Sequence, residues 1–240
     1  MRRYEDIQEL LGVVDRNIMA LEGAYEAAKH NEDHLVVARP VIKTVLGDLR
    51  GVLDYCAVSI YESYSRKNGF PHFPYGKDKA SFLNSVKKHL NGLAEQSPKV
   101  FSLIESIQPH SCGDTWLLDL CTMTNITKHR HLGVQNRLNS TSGSVNIGGR
   151  IVISGGSSAS LSDIFYGDTE VIGSEPVLIA DSMSGREVRE ILGNVVDISK
   201  SYDWVSFEMQ GHPYDLLGFL KKSSSNVRAF SDALAEIIEL

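Results

Sequence analysis

Three things are scarce in this 240-residue chain. Cysteine is the first: Cys56, Cys112 and Cys121 are the whole set. An odd, sparse set argues against a disulfide framework and for a reducing, cytoplasmic setting. Long apolar runs are the second. No stretch approaches the roughly 18 residues a membrane helix needs. The opening, MRRYEDIQELL, has two arginines but no apolar segment after them, so it reads as an amphipathic helix and not a signal peptide. Positive charge is the third. The net charge is −6. The acidic and basic residues of 1–131 cancel, and the whole excess falls on 132–240. A generic nucleic-acid binder is basic, so any RNA contact has to be local and lie in the N-terminal half.

The usual catalytic signatures are also missing. There is no Gly-x-Ser-x-Gly elbow. The glycine-rich GGRIVISGGSS has neither the Lys-Ser/Thr of a P-loop nor a strand-to-helix context. His110, Cys112, Cys121, His129 and His131 match no zinc spacing. No metal or cofactor is expected.

What the chain does have is helical periodicity. Ile7, Leu10, Leu11, Val14, Ile18, Leu21, Tyr25 and Ala28 mark a long helix over residues 4–30. A second begins near Pro40 and buries Val41, Ile42, Val45, Leu46, Leu49, Val52, Leu53, Cys56 and Ile60. Gly47 and Gly51 lie on another side of it, either for close approach of a neighbour or by simple tolerance. NGFPHFPYGK is a loop, whose aromatics either pack on the bundle or stack on a partner. Helices follow near 78–91 and 98–107, and Asp114 is placed to cap another starting near Thr115.

After Gly133 the character changes. SVNIGGRIVISGG reads as a strand or hairpin, DIFYGDTEVI as two strand arms turning at Gly-Asp, and EPVLIADS and DWVSFEM as strands. REVREILGNVVDISKSY is ambiguous, its start fitting a short helix. Residues 213–240 return to helical spacing, with Ser223–Ser225 placed to bend or break it. The expected fold is α+β: a helical bundle over 1–132, then a β-rich half over 133–240 with a small antiparallel sheet and a closing C-terminal helix, packed on the bundle.

The segment LLDLCTMTNITKHRHLG ends in a polar knot. On a helical wheel Asn125, Lys128 and His129 extend the apolar side, and Arg130 points away. Polar groups there need partners. Arg50 and Asp54, at i, i+4 and flanking the apolar face of the second long helix, are the expected binding residues, with Asp54 orienting His129 or meeting Lys128. Two readings stand: a buried network closed by the Gly133 C-cap, or a site with His129 as acid/base and Arg130 or Lys128 stabilising phosphate charge.

LGDLRGVLDYCAVSIYE, the FP loop, IESIQPH, WLLDLCTMTNITKHRHL and YGDTEVI occur in that order. They resemble an uncharacterised bacterial protein family with the pattern LRxxLD…FP…QP…W-L…NxxKHR. The resemblance covers most of residues 45–175 and is sharpest at Asn125, Lys128, His129 and Arg130. More distantly, the helical half is similar to HEPN domains. That likeness implies a helical, dimeric or partner-bound module of phage-defence or mobile-element systems, in many cases a metal-independent RNase with an Arg-x4-6-His motif. No Arg precedes His129 at that spacing, and the Arg66-to-His72 match crosses Gly and Pro. The implied function is an interaction or binding module with a protein, homodimer or RNA partner and no membrane. The alternatives are an RNase centred on His129 and a small-ligand sensor.

Overall fold

A computed structural model of the chain describes residues 3–65, 69–130 and 132–238. In order, the elements are α1 (Tyr4–Lys29), α2 (Arg39–Tyr64), α3 (Lys79–His89), α4 (Leu93–Gln96), α5 (Pro98–Ser106), α6 (Pro109–Cys112) and α7 (Trp116–His129). Strands β1 (Gln135–Asn139), β2 (Gly143–Ile147), β3 (Ile151–Ser154), β4 (Ser158–Leu161), β5 (Ile164–Tyr166), β6 (Thr169–Ile172) and β7 (Val177–Ala180) follow. Then come α8 (Gly185–Leu192), β8 (Ile198–Tyr202), β9 (Val205–Met209), β10 (His212–Asp215) and α9 (Leu216–Ile237). The class is α+β, as the segregation of periodicities indicates.

The chain divides into two compact units. The first takes the chain up to Leu21, then Ala38–Val134, then Met209 onward; the second takes Glu22–Val37 and Gln135–Glu208. One division between the units falls after Val134. The closing helix, however, belongs to the helical unit and not to the β-rich half. Its apolar stripe, Leu216, Leu220, Val227, Phe230 and Leu234, packs against α2, α5 and α7, so it is buried as a bundle helix. Conversely, the last turns of α1 belong with the strands, where Tyr25 meets Phe207 edge to face.

Within the helical unit, α2 carries the widest buried face, eleven residues from Ile42 to Ile60. Thr124 Oγ1 donates to the Leu46 carbonyl at 3.2 Å, and Arg50 Nη1 donates to Cys121 Sγ at 2.8 Å. Numbers fall along α2 as they rise along α7, so the two helices run antiparallel. The start of α1 is tied by Tyr4 to Asp232 and by Arg228 to Asp15. Ser223–Ser225 do not break α9. Ser223 and Ser224 are buried in a continuous helix, where a small side chain replaces a bulkier knob at a modest propensity cost.

In the second unit the strands are short and form several small antiparallel sheets instead of one: β3-β2-β8, β4-β7, β5-β6, and β1 beside β9. Glycines end them. Gly148 and Gly149 take positive φ between β2 and β3, and Gly167 does so between β5 and β6, as tight hairpins require. The Gly-Asp turn is the one legible in DIFYGDTEVI. β1 and β4 had no separate strand signal, being rich in Asn and Ser. Val145, Ile147, Ile153, Ile172, Ile179, Val188, Leu192 and Ile198 form the core of this unit. Ser184 and Glu187 close a capping box on α8. Arg137 donates to the carbonyls of Ala28, Asn31 and His34, ending α1 without a glycine.

Gly47 and Gly51 are explained by tolerance. A Cβ built at either would meet nothing within 4 Å. Gly47→Ala and Gly51→Ala are each expected to stabilise the fold by about 0.5–1 kcal/mol, read as a rise in denaturation midpoint. No gain at either site would show that a neighbour does approach.

Candidate functional site

Two polar regions lie on the helical unit, and they have different characters. The first is a clasp around the loop from Gly69 to Asp78. This segment buries Pro71, Phe73, Pro74 and Gly76, yet it has no strand or helix partner for its backbone. Side chains satisfy it instead. Asp54 accepts from the Phe73 N–H at 2.8 Å and lies 3.3 Å from His72 Nδ1. Arg50 pairs with Asp54 at 3.2 Å, donates to the Phe73 carbonyl at 3.3 Å, and lies over the Tyr75 ring at 5.0 Å. Gln108, fully buried, accepts from the Gly76 N–H and donates to the Pro74 and Ile104 carbonyls. Phe73 packs edge to face on Phe230. The aromatic loop is therefore mostly packed; Phe70 alone among its large apolar side chains stands out, 90% exposed.

Arg50 and Asp54, expected to serve the knot, meet each other and this loop instead. Burial pushes the Cys121 thiol up to about 11, against the opposing influence of Arg50, so Cys121 is a neutral packing partner. Cys56 is likewise buried and shifted upward. His89 accepts from the His72 N–H at 3.4 Å. Its imidazole is held below the ordinary histidine value, first by burial and then by Lys88, His72 and Arg50, with Asp54 opposing.

The second region is the end of α7. Here Asn125, Lys128, His129 and Arg130 are all exposed, and none makes a side-chain hydrogen bond or ion pair among the described residues. His131 lies outside the described residues, as does Arg66. The wheel placed three of these on the buried side; the structure puts Thr124 and Thr127 there instead. The physical reason is that a threonine hydroxyl can return to its own helix. Thr124 donates to the Leu120 carbonyl at 2.7 Å and Thr127 to that of Met123 at 2.9 Å, so both can be buried without an outside partner. Asn, Lys and His cannot do this. Given the antiparallel register, His129 lies level with the first turns of α2, roughly 20 Å along that helix from Asp54 at 1.5 Å per residue. Asp54 thus neither orients His129 nor meets Lys128.

That same register brings in residues to which helical spacing gives no prominence. Arg39 and Lys43, both exposed, belong to the start of α2 and so to the same end of the α2–α7 pair. Their signal was present, since no acidic residue occupies the first turn of α2. Among the described residues no three His, Cys, Asp or Glu are gathered as a metal site. His110 pairs with Glu105 at 3.4 Å. No described helix is long and apolar enough to cross a membrane. No family model, no curated protein and no solved structure matches the chain.

Asp54→Ala leaves the Phe73 N–H unpaired and is expected to destabilise by about 1–3 kcal/mol. His129→Ala is expected to change stability by less than about 0.5 kcal/mol, and the double variant to equal the sum within about 0.5 kcal/mol. A larger coupling in denaturant melts would place the two side chains in contact. A second expectation concerns pH. The folded value of His89 lies below its unfolded one, so protons favour the unfolded chain. Stability is present above the unfolded value of about 6.5 and is lost as pH falls through it toward the folded value. The drop in melting temperature from pH 7.5 to 5.5 is expected to be smaller in His89→Gln than in wild type; an equal drop refutes the assignment.

Proposed function

We propose that the chain is an RNA-binding module whose helical half is HEPN-like and whose contact surface is the end of the α2–α7 pair. The observation that carries this is the placement of Arg39 and Lys43 together with Lys128, His129 and Arg130, all exposed and free of internal ion pairs among the described residues. At the C-terminus of α7 the macrodipole favours cations, so the last three are locally stable. At the N-terminus of α2 it disfavours them, and Arg39 and Lys43 have no such explanation. The start of α2 also has no side-chain cap; Ala38 stands there in a left-handed conformation. Uncapped N–H groups with arginine and lysine beside them are the usual means of holding phosphate oxygens. The patch lies in the half of the chain whose charges sum to zero, which is where any RNA contact was expected. The defence or mobile-element context belongs to the resemblance alone.

Catalysis is the second reading, supported by the free His129 ring beside Arg130 and Lys128. It is weaker because no carboxylate or carbonyl among the described residues orients that ring. One experiment addresses both. Fluorescence anisotropy with a labelled single-stranded RNA is run across a salt series on wild type, Lys128→Ala/Arg130→Ala and Arg39→Ala/Lys43→Ala. Each double variant is expected to bind at least tenfold more weakly at low salt. Each should also lower the magnitude of the log–log salt slope by about 1.4, which is roughly 0.7 for every phosphate no longer neutralised, with melting temperature unchanged. Equal affinities would overturn the RNA reading. Cleavage of the RNA by wild type and not by a folded His129→Ala would convert it to the RNase reading.

A further inference from the structure

On the helical unit, a second constellation gathers where α7 begins and β10 runs into α9. A cavity of about 330 Å³ is walled by Trp116, Tyr214 and Phe219 and edged by the carboxylates of Asp114, Asp119 and Asp215. A second cavity of about 410 Å³ shares Asp114, Trp116 and Lys222 with it and continues over apolar Leu103, Ile107 and Phe230. Tyr214 and Phe219 stack at 5.1 Å. Behind the lining sits His212: Tyr214 Oη is 3.0 Å from His212 Nδ1, and that nitrogen is 3.7 Å from Asp119 Oδ1. The Thr115 hydroxyl donates to Asp119 Oδ2 at 2.7 Å. Asp119 is therefore held in place from two sides, and the Tyr214 phenol, raised well above its ordinary value by burial and by Asp119, keeps its proton.

The residues that line the first cavity include these three carboxylates and a cation. That cation is Lys222, whose ammonium is paired with Asp114 at the seam of the two cavities. The side chain is an alkylammonium tethered to the site, and it shows which chemistry the seam accepts. Aromatic faces and fixed carboxylates together select a cationic nitrogen on an apolar body; an anion meets three like charges. The size suits a small ligand, since binding cavities run from about 300 Å³ upward.

We propose that this cavity is a binding site for an organic cation, an alkylammonium or guanidinium group seated between Trp116 and the Tyr214–Phe219 pair and held by Asp119. Lys222 competes for the adjacent carboxylate. The site is separate from the cationic end of α2 and α7 and does not rest on the RNA reading.

The test uses the full chain carrying Trp204→Phe, which leaves Trp116 as the only tryptophan. Trp204 lies in the other unit and is half exposed. Trp116 emission is titrated with agmatine, with a capped Gly-Arg-Gly peptide, and with butanol and butyrate as neutral and anionic controls. A saturable response to at least one cation is expected, with neither control producing one. The tighter of the two cations identifies the source as a free amine or a protein side chain. Asp119→Asn should weaken binding at least tenfold. Lys222→Ala, which removes the competing ammonium, should tighten it at least threefold. Because Lys222 is exposed, this second variant keeps the proposal open to refutation where Asp119→Asn does not fold. Equal responses to agmatine and butanol, or unchanged affinity in the folded variants, would overturn it.

Discussion

The helical unit depends on satisfying the backbone of one loop. Residues 69–78 must lie against the bundle to bury Phe73 on Phe230, yet a segment with two prolines cannot form a helix or a ladder there. A buried backbone group left unpaired costs about as much as any side-chain contact returns. Asp54, Arg50 and Gln108 supply what secondary structure does not. Two of them also tie a helix. Arg50 sets the α2–α7 register through Cys121, and Gln108 joins the loop to the end of α5. The loop is thus less a cover than a joint among α2, α5, α7 and α9.

This changes how the sequence pattern is to be read. The LR…LD, FP and QP elements of the resemblance supply Arg50, Asp54, Phe73, Pro74 and Gln108, which meet in that joint. They account for architecture. The Asn-x-x-Lys-His-Arg run takes no part in it. Its side chains leave the protein, while the threonines between them hold the packing. Packing therefore does not account for the run; within the chain only the α7 macrodipole favours its cations.

The elements themselves were legible because each depends on local periodicity. The helices at 4–29 and 39–64, the Gly-Gly and Gly-Asp hairpins, and the short helix capped at Ser184 all follow from residues within a few positions of one another. What could not be read was which polar groups meet. Asp54 reaches Phe73 across 19 positions, and Asp119 reaches His212 across almost a hundred. Nothing local distinguishes these from other candidate pairs. The wheel erred at Asn125 and His129 for a related reason: it ranks residues by angle, but burial follows which side chain can satisfy itself. Thr124 and Thr127 can. The placement of α9 in the bundle and of residues 22–37 with the strands likewise depends on long-range packing that periodicity does not encode.

The cationic end of α2 and α7 gains its meaning from a conflict of sign. A cation in the last turn of a helix is favoured by about 0.3–1 kcal/mol, and one in the first turn is disfavoured by a similar amount. Lys128 and Arg130 enjoy the first effect; Arg39 suffers the second. Summed over the surface, the local field gives such a set little net support, and mutual repulsion within a Debye length of about 8 Å works against it. An anion placed there reverses both effects. It relieves the repulsion among the side chains, and the start of α2, which has no side-chain cap, favours it through the macrodipole. The arrangement that is awkward for the chain alone is the one that a phosphate backbone would stabilise.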